Sequence, residues 1–161
     1  MITNTPKTKE QKYEELSAGI EHRATWFYFM LSEAMKAGLD TEFAHKAITQ
    51  CGCFHAMTKW PKTDSLKEFT KAFANDNVVN IFEMEIKENT EKNMKINFHY
   101  CPLVNAWKKL TDDEALIAEM CDIAMDGDRG IVKQYGNFEF HLGKTIAKGD
   151  PVCEITVSRK E

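Results

Sequence analysis

The spacing of apolar side chains divides the chain into helices first, then strands, then helices and strands again. From about Lys7 to Lys36, Tyr13, Leu16, Ile20, Phe27, Leu31 and Ala34 recur near the helical period, which predicts one long helix. Trp26 and Phe29 widen its apolar stripe and predict that it is central. Gly38 closes it, and Asp40 or Thr41 caps a second helix carrying Ala44, Ala47, Ile48 and Cys51 and ending near Trp60-Pro61. Asp64 or Ser65 opens a third helix, to about Ala74. The period then shortens. Phe82, Met84 and Ile86 alternate with Glu83, Glu85 and Lys87, and Met94, Ile96, Phe98 and Tyr100 alternate with Lys95, Asn97, His99 and Cys101. A polar turn over 89–93 joins them, so the pair reads as an antiparallel hairpin.

Pro102 ends that hairpin. A short helix over Val104 to Leu110 follows, then one from Asp112 to about Met125, capped by Thr111 with acidic residues in its first turn. Gly127 and Gly130 are expected to loosen the chain there. Phe138, Phe140 and Leu142 share one face of a final hairpin, with Gly149-Asp150 in the turn and 152–158 as the return strand. The order predicts an α+β fold, with helices packed on one face of a four-stranded antiparallel sheet made of two hairpins. No repeat or linker marks a boundary. Residues 1–161 are therefore expected to form one domain with a loose tail over 1–6.

Composition narrows the function. The 161 residues carry a net charge of −4, and Glu10 interrupts Lys7, Lys9 and Lys12. Phosphate backbones need a clustered basic surface, so a nucleic-acid partner is not expected. The densest apolar run, Trp26 to Leu31, is too short to span a bilayer and has no leader-like flanks, so no membrane partner and a cytoplasmic location are expected. Five cysteines without export favour reduced thiols. The expected partner is a small-molecule substrate, with homo-oligomerisation open.

Several residues are suited to chemistry. His99 and Cys101 lie two apart on a strand and would share its polar face, as a nucleophile–base pair, as metal ligands, or as an exposed imidazole and a strand-end thiol. Cys121, Asp122, Asp126 and Asp128 cluster near a helix end. Asp122 and Asp126 form a like-charge i,i+4 pair where negative charge is disfavoured, which calls for a cation such as a ligand, a metal or Arg129. The stretch from Asp126 to Gly130 superficially resembles a calcium loop but fails it, with Ile131 at the sharp-turn position. His55 continues the stripe one turn after Cys51, as a core histidine or a pocket residue. Arg23, after His22, would clamp a carboxylate or make a surface ion pair. Cys153 aligns with Ile155 and Val157 and reads as structural. P-loop, GxGxxG, HExxH and GxSxG motifs are absent from the sequence.

Two groups of segments carry a family resemblance. His22 to Tyr28 with Glu33-Ala34, and Cys51-Gly52-Cys53-Phe54-His55, resemble the N-terminal half of the L-2-amino-thiazoline-4-carboxylic acid hydrolase-like family. Tyr100 to Leu103, Cys121-Asp122, Asp126 to Gly130, Thr145 to Asp150 and Cys153 resemble its C-terminal half. The resemblance implies hydrolytic opening of a cyclic amidine at a C–N bond, giving a carbamoyl-amino-acid product. It suits Cys101 or Cys121 as nucleophile and His55 or His99 as base. Asp126 would hold the amidinium and Arg23 the carboxylate, with His22, Asp122 and Asp128 also binding substrate. A metal held by Cys, His and Asp is an open alternative, although the sequence requires no cofactor. On this basis Cys101, Cys121 and His55 are expected to line one pocket. The Gly149 to Cys153 segment also resembles vinyl-reductase-type ligand-binding domains, which keeps a small-molecule-binding or sensor domain without turnover as the competing reading.

Overall fold

A computed structural model describes residues 1–7 and 10–161. The elements in order are α1 (Gln11–Lys36), α2 (Glu42–Lys59), α3 (Leu66–Phe73), α4 (Asp76–Phe82), β1 (Met84–Asn89), β2 (Asn93–Phe98), α5 (Pro102–Trp107), α6 (Glu114–Lys133), β3 (Phe138–Leu142) and β4 (Cys153–Arg159), with a 3-10 turn at Ile146–Lys148. The sheet order is β1-β2-β4-β3, antiparallel throughout. The two predicted hairpins are present and are joined through β2 and β4, where Ile96 faces Ile155. Met94, Ile96, Phe98, Cys153, Ile155 and Val157 turn one face of the sheet into the core under the helices. The fold is the predicted α+β arrangement.

Local chemistry sets several boundaries. Ser65 accepts a hydrogen bond from the N–H of Glu68 to open α3, and Asn75 accepts one from Val78 to open α4. The strand expected from Phe82 begins instead at Met84, because Phe82 ends α4 and Glu83 turns the chain at φ 49°. Asp113, rather than Thr111, caps α6 by accepting from Leu116. Part of the first turn expected for α1 falls on residues 8–9, outside the described residues; the helix is continuous from Gln11.

Three expectations are corrected. α1 is peripheral, not central. Only Ala24 and Leu31 are buried along it, while Trp26, Phe29 and Met30 are more than half exposed. It rests on α5, where Asn105 and Lys109 hydrogen-bond Glu21 and the Trp107 indole donates to the Ala24 carbonyl (3.0 Å). The central helix is α6, and it does not loosen at Gly127 but runs on to Lys133. The reason is α2, which crosses it at contact distance. A Cβ on Gly52 would stand 2.0 Å from the Gly127 carbonyl oxygen, and one on Gly130 would stand 2.3 Å from that of Thr49. These glycines let two helix backbones touch, which outweighs their poor intrinsic helix propensity.

The third correction concerns residues 1–6, which dock rather than trail. Ile2 and Asn4 are buried. The Asn4 amide donates to the Cys101 carbonyl (2.8 Å) and accepts from the Cys101 N–H (2.9 Å), as a strand neighbour would. Lys108 caps the Ile2 carbonyl.

Candidate active site

α1 leans on α5 and α2 on α6, and the two outer helices leave a cleft between them. Arg23 and Phe27 from α1 form one wall, and Ile48, Cys51 and His55 from α2 form the other. Leu103, Trp107, Ala124 and Asp128 form the floor. Cys51 and His55 are i,i+4 on α2, hence on one face, which borders the buried face of Ala44, Gly52 and Ala56, where Gly52 meets the α6 backbone. The cleft is apolar except for three side chains, Arg23, His55 and Asp128. Among the described residues no hydrogen bond or ion pair within 4.0 Å engages the Asp128 carboxyl. Desolvation in the cleft pushes it up from 3.8 to about 7, although the positive charges of Arg129 and Arg23 pull it the other way. A carboxyl poised near neutrality beside a guanidinium and an imidazole, in a concave apolar setting, has the form of a small-molecule site.

The residues singled out in the sequence separate into those in the cleft and those outside it. Arg23, His55 and Asp128 are in it. Asp126 is not. It is 8% exposed and faces away, with Nδ1 of His45 2.6 Å from one carboxyl oxygen and Arg129 donating to the other (2.7 Å). Asp122 is bound by the same Arg129 (2.7 Å), so the cation that the acidic pair called for is supplied within α6. His45 also approaches Glu119 (3.4 Å), whose carboxylate accepts from the Thr41 hydroxyl. His45 was missed in the sequence. Its signal lay in Ala44 and Ile48, whose stripe it flanks, but nothing local placed Asp126 opposite. His22 is exposed on the outer side of α1, edge-on to Trp26.

His99 and Cys101 do not share a polar face. The strand ends at Phe98; His99 stays at the rim, 3.2 Å from Glu85, whereas Cys101 turns inward as the residue before α5. Cys101 and Cys121 are 3% exposed, and neither lines the cleft. Burial pushes the Cys101 thiol up to about 11, while the N–H groups of Val104 and Leu103 and the Arg23 charge oppose the shift. Burial raises Cys121 further. Both are therefore buried thiols that burial holds in the protonated form, near one another but outside the cleft, so the expected pocket shared with His55 is not formed. Cys153 is buried, with its thiol held up at about 12 by desolvation, and it accepts a hydrogen bond from the Ile146 N–H. Cys51 is the thiol that faces the cleft, and it is exposed. Among the described residues, no group of three or more His, Cys, Asp or Glu side chains is placed to hold a metal ion. Nor is any helix among them long and apolar enough to cross a membrane.

A family model for L-2-amino-thiazoline-4-carboxylic acid hydrolase matches residues 17–157. The chain belongs to that family. The match spans α1 through β4 and so contains every residue of the cleft. No curated protein matches the chain. Among solved structures, it is similar to a trafficking protein particle complex subunit 3 from Naegleria fowleri, described as covalently bound to palmitic acid. The TM-score is 0.56 at 16% identity, covering 88% of this chain and 95% of that one. At that identity the likeness is one of fold.

Proposed function

We propose that the cleft binds and hydrolyses a small cyclic amidine bearing a carboxylate, of which 2-amino-thiazoline-4-carboxylate is the model substrate. The observation that carries this is the convergence of Arg23, His55 and Asp128 on one apolar cleft. The substrate has two charged ends. Arg23 is suited to its carboxylate, since a guanidinium offers paired donors in a fixed fork. Asp128 is suited to the amidinium, whose positive charge favours ionisation of a carboxyl that otherwise titrates near pH 7.

The nucleophile in this reading is Cys51 and the base is His55. His55 takes the Cys51 proton, and the thiolate attacks the amidine carbon. The ring C–N bond then breaks, and the departing nitrogen receives the proton from His55. Water next attacks the thiol-bound carbon, giving its proton to His55, which returns it to the sulfur as the carbamoyl product leaves. Asp128 holds the cationic carbon centre through both additions. Positioning comes from rigid helices and not from a loop, which keeps nucleophile, base and anchor in register.

The test is turnover of 2-amino-thiazoline-4-carboxylic acid by the wild type and by Cys51→Ser, His55→Gln, Arg23→Gln and Cys101→Ser. The reading requires Cys51→Ser and His55→Gln to lower kcat by about 10²-fold or more, Arg23→Gln to act mainly on KM, and Cys101→Ser to leave both nearly unchanged. Full activity in Cys51→Ser removes the thiol from the mechanism. A second reading, a small-molecule-binding domain without turnover, is favoured by the apolar character of the cleft and by the acyl group on the protein of similar fold. Binding of the same compound without conversion would support it.

A further inference from the structure

The cleft does not end at the three polar side chains. A second, larger cavity opens from the same junction, sharing Arg23, His55, Leu103, Ala124, Asp128 and Ile131 with the first. The two differ in size and wall. The arm beside Cys51 encloses 260 Å³, below the range of about 300–1,000 Å³ typical of drug-sized ligands, and it suits a single ring. The other arm encloses 610 Å³ and reaches toward α3, α4 and the start of β1. Trp60, Phe73, Phe82, Met84 and Phe98 make most of its wall, with Ala72, Val78 and Met125 beside them, and Lys59 and Asn75 are the polar side chains on it apart from those at the junction.

These aromatic walls are part of the packed core. Phe73 and Phe98 are buried and in ring contact, Phe82 lies 5.4 Å from Phe98, and Trp60 lies 5.1 Å from Phe69. A concave surface of this kind favours an apolar occupant, because filling it removes hydrocarbon surface from water. A bare thiazoline carboxylate has nothing to place there. The charged groups at the junction have a complementary use, since they can hold a polar head while an apolar substituent leaves through the larger arm.

We infer that the ligand of this site is an amidine carboxylate extended by an apolar substituent, its charged head held by Arg23 and Asp128 and its tail seated between Trp60, Phe73, Phe82 and Phe98. The inference rests on the cleft as an amidine-carboxylate site and adds the tail. It does not depend on turnover.

Calorimetric titration at pH 8 separates the two ideas. The probes are 2-amino-thiazoline-4-carboxylic acid and the same compound carrying a hexyl chain at ring carbon 5. Each fully buried methylene strengthens binding roughly fourfold, so even partial burial makes the hexyl compound at least tenfold tighter on wild type. Ala72→Trp and Val78→Phe each fill the larger arm without touching the head. Each should erase that gain and leave the parent compound within twofold, with circular dichroism confirming the fold; if one variant fails to fold, the other decides.

If the parent binds and the hexyl chain adds nothing, the larger arm is not a ligand pocket, and the amidine reading stands alone. If the gain survives in a folded variant, the tail sits elsewhere, and the inference falls. If the affinity gain depends on protein concentration, a second copy of the chain is being recruited, which also overturns it. Binding of neither compound removes both the amidine reading and this one.

Discussion

Asp126 and Asp128 stand two residues apart on α6, about 200° around the helix, and they have opposite environments. Asp126 is held by His45 and Arg129 and ties α2 to α6 on one side. Asp128 ends in the cleft on the other side, where desolvation raises it to about 7. One carboxylate braces the helix pair, and the other faces the cleft.

The Asp128 carboxyl therefore opposes folding as it ionises. An unfolded aspartate loses its proton near 3.8 and the folded one near 7, so between those values the native state binds more protons and stability falls as pH rises. Asp128→Asn removes this penalty. Its melting temperature should match the wild type near pH 3.5 and exceed it increasingly up to pH 7, the gain in unfolding free energy reaching at most about 4 kcal/mol. Thermal unfolding across that range checks the sign, and a variant less stable at pH 8 would refute it.

Amidine binding should follow the same titration. Because the cation favours ionised Asp128, affinity for 2-amino-thiazoline-4-carboxylic acid rises to about pH 7 and flattens above it. Near pH 6 binding releases a proton, seen as a dependence of the calorimetric heat on buffer ionisation enthalpy. Asp128→Asn should abolish that dependence.

His45 behaves in the opposite sense. Burial alone would lower its imidazole, but hydrogen bonds to Asp126 and Glu119 outweigh it and raise it above 6.5. A raised base contributes stability that is fully present below about 6.5 and is lost as pH rises through the folded value. His45→Gln should thus cost more at pH 6 than at pH 9. Denaturant melts at the two pH values test this, and an equal loss at both would show that the imidazole acts uncharged.

The helix crossing is sensitive to a single methyl group. Gly52→Ala places a Cβ inside the Gly127 carbonyl and should cost about 1–3 kcal/mol or more. Gly19, in α1 with nothing within 4 Å, is the control: Gly19→Ala should gain about 0.5–1 kcal/mol. Urea unfolding of both variants measures the contrast.

Thiol accessibility gives a separate check. Brief alkylation of the native protein, followed by mass mapping, should label Cys51 first and leave Cys101, Cys121 and Cys153 unmodified until denaturant is added.

Short-range regularities were enough to reveal both hairpins. The alternation at Met94, Ile96 and Phe98, and again at Cys153, Ile155 and Val157, determines which faces are apolar, and each hairpin pairs neighbouring strands. The helical stripes of α2 and α6, the reactive residue types, and the family motifs were legible for the same reason: each lies within a few turns of chain. The pairing of β2 with β4 was not, because it joins segments about sixty residues apart whose patterns fit either neighbour.

The site divides in the same way. Arg23, His55 and Asp128 could be named from the sequence, but so could Asp126, Cys101 and Cys121. Helical geometry fixes the angle between Asp126 and Asp128 without saying which of the two meets α2. That was decided by the contact of Gly52 and Gly130 with the facing backbone, a close approach that also keeps α6 helical through two glycines that local propensity would use to end it. Propensity and period act over one turn of chain, whereas burial depends on what arrives from the rest of the molecule. The tertiary structure alone therefore buried Cys101 and Cys121 in the core and left Cys51 facing the cleft.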